Sequence, residues 1–402
     1  MSIYERFGVK PIINVAGPAT RYGGALMERL ALEAMDEAAR ESACLDELEA
    51  AASKVIAEVT HAEAGIVTAG ASAALTLGTA ASMVGFNVAK MNRLPDTTGM
   101  PNEVIMPWHQ ICGYDHSIRA AGARIIGVGI PNDTTPPGEV HIISRWDIES
   151  AIGSNTAAIA YAPRAGSHPP LEEVVEISKR HNIPIIVDAA AEVPPMENLH
   201  RFSDMGVDLV CISGGKGIRG PQASGILCGR RDLIGSALLQ MLDMAGESFD
   251  KWNPPASLIP KEKLAGKPEH GIGRGMKASK EAIIGLLVAL QNLTEEKHAQ
   301  KAEYSKQLLE GIQARLKSIA GLKMRIAEGI CGYPMLEVKM DVKTVGQSAY
   351  EIARKLKEGD PSIYVDNRDR YLQKGLVVIH SINMDEGVAR IVGDCLYAAI
   401  ST

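Results

Sequence analysis

Short apolar runs alternate with amphipathic stretches between Gly65 and Gly229, and this alternation constrains the fold more than any other feature of the chain. The runs are GIVTAG (65–70), EVIMP (103–107), RIIGVGI (124–130), AAIAYAP (157–163), IPIIVDAA (183–190), VDLVCIS (207–213) and GILCG (225–229). Each has the length of a strand and is apolar on both faces, as strands buried on both sides of a sheet must be. Helical patterns fall between them: ASAALTLGTAASMVG, a segment around Gly113 to Ala121, and LEEVVEISKRHN at 171–182. Alternating strand–helix units imply an α/β fold with a mainly parallel sheet and right-handed crossovers.

The flanking segments read differently. Before the sheet pattern come an extended apolar piece (Pro11 to Val15), a glycine-containing loop (Gly17 to Gly24), a helical pattern from Ala25 and a second helix over Leu45 to Thr60. After it, the Lys-, Pro- and Gly-rich stretch Leu258 to Arg274 reads as a long loop. A long helix is predicted from Ser279 to Ile319, followed by KMRIAE, YPMLEVKM, SIYVDN and GLVVIHSI and a last helix from Asp385, the pattern of a small α+β domain. The chain thus divides into an N-terminal segment (1–44) that fits either domain, a large domain (45–275), and a linking helix with a small C-terminal domain (276–402).

At 402 residues the chain can bury a large core. Its net charge of −6 argues against a nucleic acid as main partner. No apolar run reaches the roughly 20 residues that cross a membrane. The start, MSIYERFGVKPIINVAG, lacks the basic-then-apolar order of a signal peptide. Six cysteines are scattered without a CxxC pair, which points to reduced, buried thiols in a cytoplasmic protein, with no disulfide framework and no metal site.

Three features sit where predicted strands end, the place at which open α/β sheets hold ligands. Asp188 closes the run IPIIVDAA, and a carboxylate there needs a positive partner; a helix cap or an ion pair would also account for it. Lys216 follows VDLVCIS among Gly214, Gly215 and Gly217, which permit a sharp turn and the close approach of a ligand; a solvated loop lysine is the plain alternative. Ser213 stands ready to donate to a phosphate or to a turn. Gly70, Ala71 and Ser72 lead from a strand into a helix, whose free N–H groups bind phosphate, although Ser72 would serve equally as an ordinary cap. The wording is neither GxxxxGK[ST] nor GxGxxG. Together the three supply an anchor for a phosphate, an anion for a ring nitrogen and an amine for an aldehyde, which are the parts that pyridoxal 5′-phosphate requires.

The phrases VKPIINVAG, LEEVVEISKRHNIPIIVDAAAE and above all DLVCISGGKGIRGPQASGILCGRRDLI resemble the fold-type-I pyridoxal-phosphate enzymes. Within them the chain is similar to the selenocysteine synthase (L-seryl-tRNA(Sec) selenium transferase)-like family, and its GGKGIRGPQASG wording is closer to the D-glucosaminate-6-phosphate ammonia-lyase branch. The resemblance spans nearly the whole chain. It implies an aspartate-aminotransferase-like large domain, Lys216 as the Schiff-base lysine, Asp188 as the ring-nitrogen partner, and Gly70, Ala71, Ser72 and Ser213 at the phosphate. Gly275 and Met276 would reach a neighbouring subunit's phosphate through backbone N–H groups, although the threonine often found there is missing, and the enzyme would be a homodimer or larger. A flat side chain would cover the ring: His109, with Tyr114 and His116 as alternatives. A carboxylate-binding arginine is expected, and Arg164 and Arg274 are candidates, with Arg21 and Arg219 behind them. Because the family pattern starts almost at the first residue and the charge is negative, a small amino-acid substrate is expected, not a tRNA-bound one. The implied reaction is α,β-elimination from an amino acid with a β-hydroxyl or similar leaving group, giving a keto acid and ammonia. A racemase, an aldolase, a selenium-transferase-like β-replacement enzyme, or a binding protein on an inactive fold are the alternatives.

Overall fold

The computed structural model describes residues 2–129, 143–163, 166–246 and 248–401. Its backbone divides into two units, Met27–Asn292 and a second made of Met1–Leu26 with Leu293–Thr402. Along the chain the strands are β1 (Ile12–Val15), β2 (Ala64–Thr68), β3 (Glu103–Pro107), β4 (Arg124–Val128), β5 (Thr156–Tyr161), β6 (Ile185–Asp188), β7 (Leu209–Ser213), β8 (Gly225–Gly229), β9 (Leu322–Glu328), β10 (Pro334–Met340), β11 (Ser362–Val365) and β12 (Leu376–His380). Three helices matter below: α1 (Arg29–Ala39), α2 (Leu45–Thr60) and α3 (Ala71–Val84).

The larger unit carries a seven-stranded sheet in the order β2-β8-β7-β6-β5-β3-β4. Strands β3 to β7 pair in parallel, as the apolar runs predict. GILCG is the exception, because β8 runs antiparallel to both β7 and β2. The reason is length: the connection 214–224 holds no helix and is too short for a crossover, so the chain turns back on itself. Helix α3 is buried almost all round, and its Gly78 lets the helix press onto the sheet, where an added Cβ would lie 3.2 Å from Leu209.

Strand β2 lies at the sheet edge, and α2 closes that edge with side chains. The Glu49 carboxyl accepts the Val67 N–H at 2.9 Å, and the Ser53 hydroxyl accepts the Gly65 N–H at 3.1 Å. Gly65 is what allows the contact, since a Cβ there would come within 2.3 Å of Ile56. Glu49 is 2% exposed, and burial pushes its carboxyl up to about 8.

The unit boundaries differ from those expected from the sequence. Residues 27–44 belong to the larger unit because α1 packs on the helix Lys280–Asn292, where Gly285 faces Met35 and leaves 2.6 Å to an added Cβ. The first 26 residues belong to the smaller unit through the parallel pair β1–β11. The single helix expected over 279–319 is two, Lys280–Asn292 and Glu295–Leu316. Thr294 starts the second: its extended backbone (φ −118°, ψ 155°) and its hydroxyl, 3.3 Å from the Lys297 N–H, form a cap. The helix expected from Ala25 begins at Arg29, and the helices Arg145–Ala151 and Ala349–Glu358 add to those read from the sequence.

In the smaller unit an antiparallel sheet β12-β10-β9 forms a core that includes Leu309, Ile312, Leu336, Ile352, Val377 and Leu396. No helix among the described residues is long and apolar enough to cross a membrane. All six cysteines are free; Cys44 is exposed and Cys112 and Cys395 are half-buried, so the expectation of six buried thiols holds for Cys211, Cys228 and Cys331.

Candidate active site

Strand register brings the sequence-predicted residues to one rim of the large sheet. Gly225 at the start of β8 is in register with Thr68, the last residue of β2, and with Ser213, the last residue of β7. On the next strand Asp188 ends β6 and pairs in register with Cys211. The turn after β2, the loop after β7 and the acid ending β6 therefore emerge side by side at the carboxyl rim.

The turn after β2 is built to leave helix N–H groups open. Gly70 is the N-cap of α3, with φ 95° and ψ 165°, a backbone state that favours glycine, and no side chain caps the helix. Ser72 is not the cap; its hydroxyl meets that of Ser117 at 2.5 Å. Gly225 lies so close beneath that a Cβ would meet the Gly70 carbonyl carbon at 2.5 Å and the Ala71 nitrogen at 2.6 Å. Gly225→Ala must therefore displace this turn. Its expected effect is a loss of about 1–3 kcal/mol of stability and weaker binding of a phosphate-bearing ligand, read by thermal unfolding and by ligand titration. Gly275 and Met276 flank the same turn: the Ala69 N–H donates to the Met276 carbonyl at 2.9 Å, and Thr68 bridges to Lys277. In this chain Met276 is thus held at its own turn.

The loop carrying Lys216 closes on itself through backbone bonds. The Gly214 N–H donates to Ser224 O at 2.9 Å, the Gly220 N–H to Gly214 O at 2.9 Å, and the Arg219 N–H to Lys216 O at 3.0 Å. Its glycines serve close approach: a Cβ on Gly214 would lie 2.2 Å from the Ser224 hydroxyl, and one on Gly215 would lie 2.4 Å from Gln222 Cα. The left-handed residue is Arg219, with φ 58°. Its guanidinium sits 3.3 Å from Glu28, and its carbonyl accepts the Glu28 N–H at 2.9 Å, which commits it to shaping the loop. Lys216 and Ser213 are half-buried.

Asp188 borders a cleft lined also by Leu75, Met106, Gln110, Cys112 and Tyr114. Its Oδ1 accepts the Ala190 N–H at 3.1 Å. Beneath it, burial first and the Asp188 charge second hold the Cys211 thiol well above its usual range. Two further residues shape the cleft without having stood out in the sequence. Fully buried Gln110 accepts the Ala162 N–H at 2.8 Å, tying the turn after β3 to the end of β5. Tyr161, 2% exposed, donates its hydroxyl to Pro169 O at 2.8 Å, and burial pushes its phenol upward.

Other candidates fall less centrally. His109 is half-buried in the turn Trp108–Gln110 directly after β3; Tyr114 lines the cleft at 63% exposure, and His116 is exposed. Arg274 faces Asp243, with Nη2 2.7 Å from its carboxylate. Arg21 is exposed on the turn Thr20–Tyr22 of the smaller unit. Arg164 lies outside the described residues.

Comparison with known proteins identifies the family. Residues 133–343, just over half the chain, match the family described as aminotransferase class-V, and residues 38–213 match the DegT/DnrJ/EryC1/StrS aminotransferase family. A 5′-C-glycyluridine monooxygenase-decarboxylase from Streptomyces sp is 31% identical over 92% of this chain and 85% of its own length. D-glucosaminate-6-phosphate ammonia lyase from Salmonella typhimurium (strain 14028s / SGSC 2262) is 27% identical over 97% of this chain and 96% of its own. A solved D-glucosaminate-6-phosphate ammonia-lyase structure superposes with a TM-score of 0.78 at 26% identity, covering 100% of this chain and 98% of that one. The fold-type-I architecture expected from the sequence is therefore present, and the chain belongs to the aminotransferase class-V family.

Proposed function

We propose that the chain is a pyridoxal-5′-phosphate-dependent lyase of the ammonia-lyase type, acting on an amino acid with a β-hydroxyl or similar leaving group. The observation that carries this reading is the register that gathers Thr68, Gly225 and Ser213 at one rim with Asp188 on the neighbouring strand. The residues fit the cofactor: a glycine-capped helix start offers an anion seat, a carboxylate ends β6, and an amine follows β7 on the loop 214–224. The first-turn N–H groups of α3 and the Ser213 hydroxyl would hold the phosphate. Asp188 would keep a proton on the ring nitrogen. When bound, the cofactor supplies a sink for the electron pair left at the substrate Cα.

Lys216 would take the Cα proton as general base and return a proton to the departing β group. With a hydroxyl as that group, water leaves and water re-enters as ammonia is released, so the amino acid becomes a keto acid plus ammonia with atoms balanced. Gln110 and Tyr161 would form the wall that excludes solvent water. For the substrate carboxylate we propose Arg164; Arg274 would first have to leave Asp243. His109 is the proposed cover for the cofactor ring. The reading carries a small-molecule substrate with no tRNA, a cytoplasmic location and at least a homodimer, with Gly275 and Met276 near the shared phosphate.

The match to D-glucosaminate-6-phosphate ammonia-lyase along almost the full length of both chains supports elimination. The 31% identical monooxygenase-decarboxylase favours a second reading, oxidative decarboxylation of an α-amino acid. Incubating the protein with D-glucosaminate 6-phosphate and a panel of β-hydroxy amino acids, with and without oxygen, separates the two. Keto acid and ammonia in equal amounts under nitrogen are expected. Oxygen uptake with carbon dioxide release would establish the second reading instead, and no turnover by either route would overturn both.

A further inference from the structure

We propose that His61, His200 and Asp204 form a binding site for one divalent transition-metal ion of the zinc, nickel or copper type. All three belong to the larger unit. His61 precedes β2 and Asp204 precedes β7, so the cluster lies toward the amino-terminal ends of these strands, away from the carboxyl rim described above. It is a separate site, and the proposed lyase chemistry does not use it.

The donors converge already. Asp204 Oδ1 lies 2.9 Å from His61 Nδ1, and Asp204 Oδ2 lies 2.7 Å from His200 Nδ1. One ligand atom from each residue can be chosen so that all lie within 4.8 Å of one another. His200 and Asp204 are four residues apart on one helical turn, which places both side chains on the same face. The two imidazoles stack with centroids 4.5 Å apart and planes 26° apart. Hydrogen bonds from His200 and then His61 hold the Asp204 carboxyl below its usual range.

The backbone contributes a second observation. His61 is the C-cap of α2 in the left-handed region (φ 53°, ψ 15°), a position that usually falls to glycine or asparagine. A non-glycine residue there stores strain unless its surroundings select it. Here the conformation presents the ring to Asp204. Two imidazoles and one carboxylate suit zinc, nickel or copper, whereas calcium and magnesium call for oxygen ligands. All three side chains keep substantial solvent exposure, which leaves room for water to complete the coordination. The ion would tie the end of α2 to the helix Arg201–Met205.

The test is titration of Zn²⁺ into the 402-residue chain by calorimetry, in a Cys44→Ser background that removes the exposed thiol. Co²⁺ absorbance reports the ligand set in parallel. One saturable ion per chain is expected, together with a rise in unfolding temperature on Zn²⁺ addition. His200→Ala and Asp204→Asn should each weaken binding at least about tenfold. Asp204→Asn changes little in shape, so circular dichroism and the metal-free unfolding temperature should match the parent and separate lost binding from lost folding. Absence of a one-to-one isotherm in the parent, or an unchanged isotherm in the His61→Ala/His200→Ala double variant, overturns the proposal.

Discussion

Lys216→Ala is expected to abolish useful turnover and to remove the visible absorbance that the parent develops with pyridoxal 5′-phosphate. Lys216 is the amine of a loop held between β7 and β8, beside the two other strand ends that the ligand needs. Loss of a positioned proton-transfer group alone costs roughly 10²–10⁴-fold in rate, and the missing covalent anchor adds to it. The loop itself should survive. Its shape rests on backbone hydrogen bonds from Gly214, Arg219 and Gly220 and on the packing of Gly214 and Gly215 against Ser224 and Gln222. The stability of the variant should therefore stay within about 1 kcal/mol of the parent, as measured by thermal unfolding. An alanine variant that keeps both colour and turnover would show that another residue does the chemistry.

Some of this candidate site is legible in the sequence alone, for physical reasons. Asp188 and Lys216 stand at the ends of continuous apolar runs, and a charged group in that position is either costly or functional. The turn at Gly70 was readable because a strand ended in small residues that opened a helix. Gln110 and Tyr161 were not readable. They meet because β5 lies beside β3, and strand order is a long-range property that local periodicity does not encode. The role of Arg219 was hidden for the same reason, since Glu28, its partner, comes from a distant part of the chain.

For Gly214 and Gly215 beside Lys216, the sequence suggests a sharp turn and the close approach of a ligand, whereas the structure shows close approach of the chain itself. Gly214 and Gly215 are required by backbone and side-chain neighbours at closer than Cβ distance. Non-local packing decides what the sequence leaves open for the N-terminal segment: Gly285 against Met35 draws residues 27–44 into the larger unit, and the β1–β11 pair draws the first residues into the smaller. The direction of β8 followed from a connection too short for a crossover, a clue that the apolar pattern of the strand alone does not contain.

Stability should fall as pH rises through the neutral range, and Glu49→Gln should remove a large part of that fall. Burial raises the Glu49 carboxyl from 4.5 to about 8, so the folded chain keeps a proton that the unfolded chain releases. The group's contribution is fully present below 4.5 and is lost as pH passes from 4.5 through about 8. Linkage puts the loss on the order of 5 kcal/mol across that window. Glutamine keeps an oxygen to accept the Val67 N–H and carries no charge at any pH. Unfolding of both proteins by denaturant from pH 5 to 9 gives the comparison, and other titrating groups cancel in the difference. The two should lie close at pH 5, and the variant should be the more stable above pH 8. Parallel curves for the two proteins would mean that Glu49 does not titrate in this window. The effect reaches the candidate site through β2: Glu49 holds the edge strand that ends at Thr68, and the turn at Gly70, proposed to seat the phosphate, follows directly. Charging this carboxyl should loosen the edge against α2, so cofactor affinity in the parent should decline in the same pH window while the glutamine variant holds its affinity.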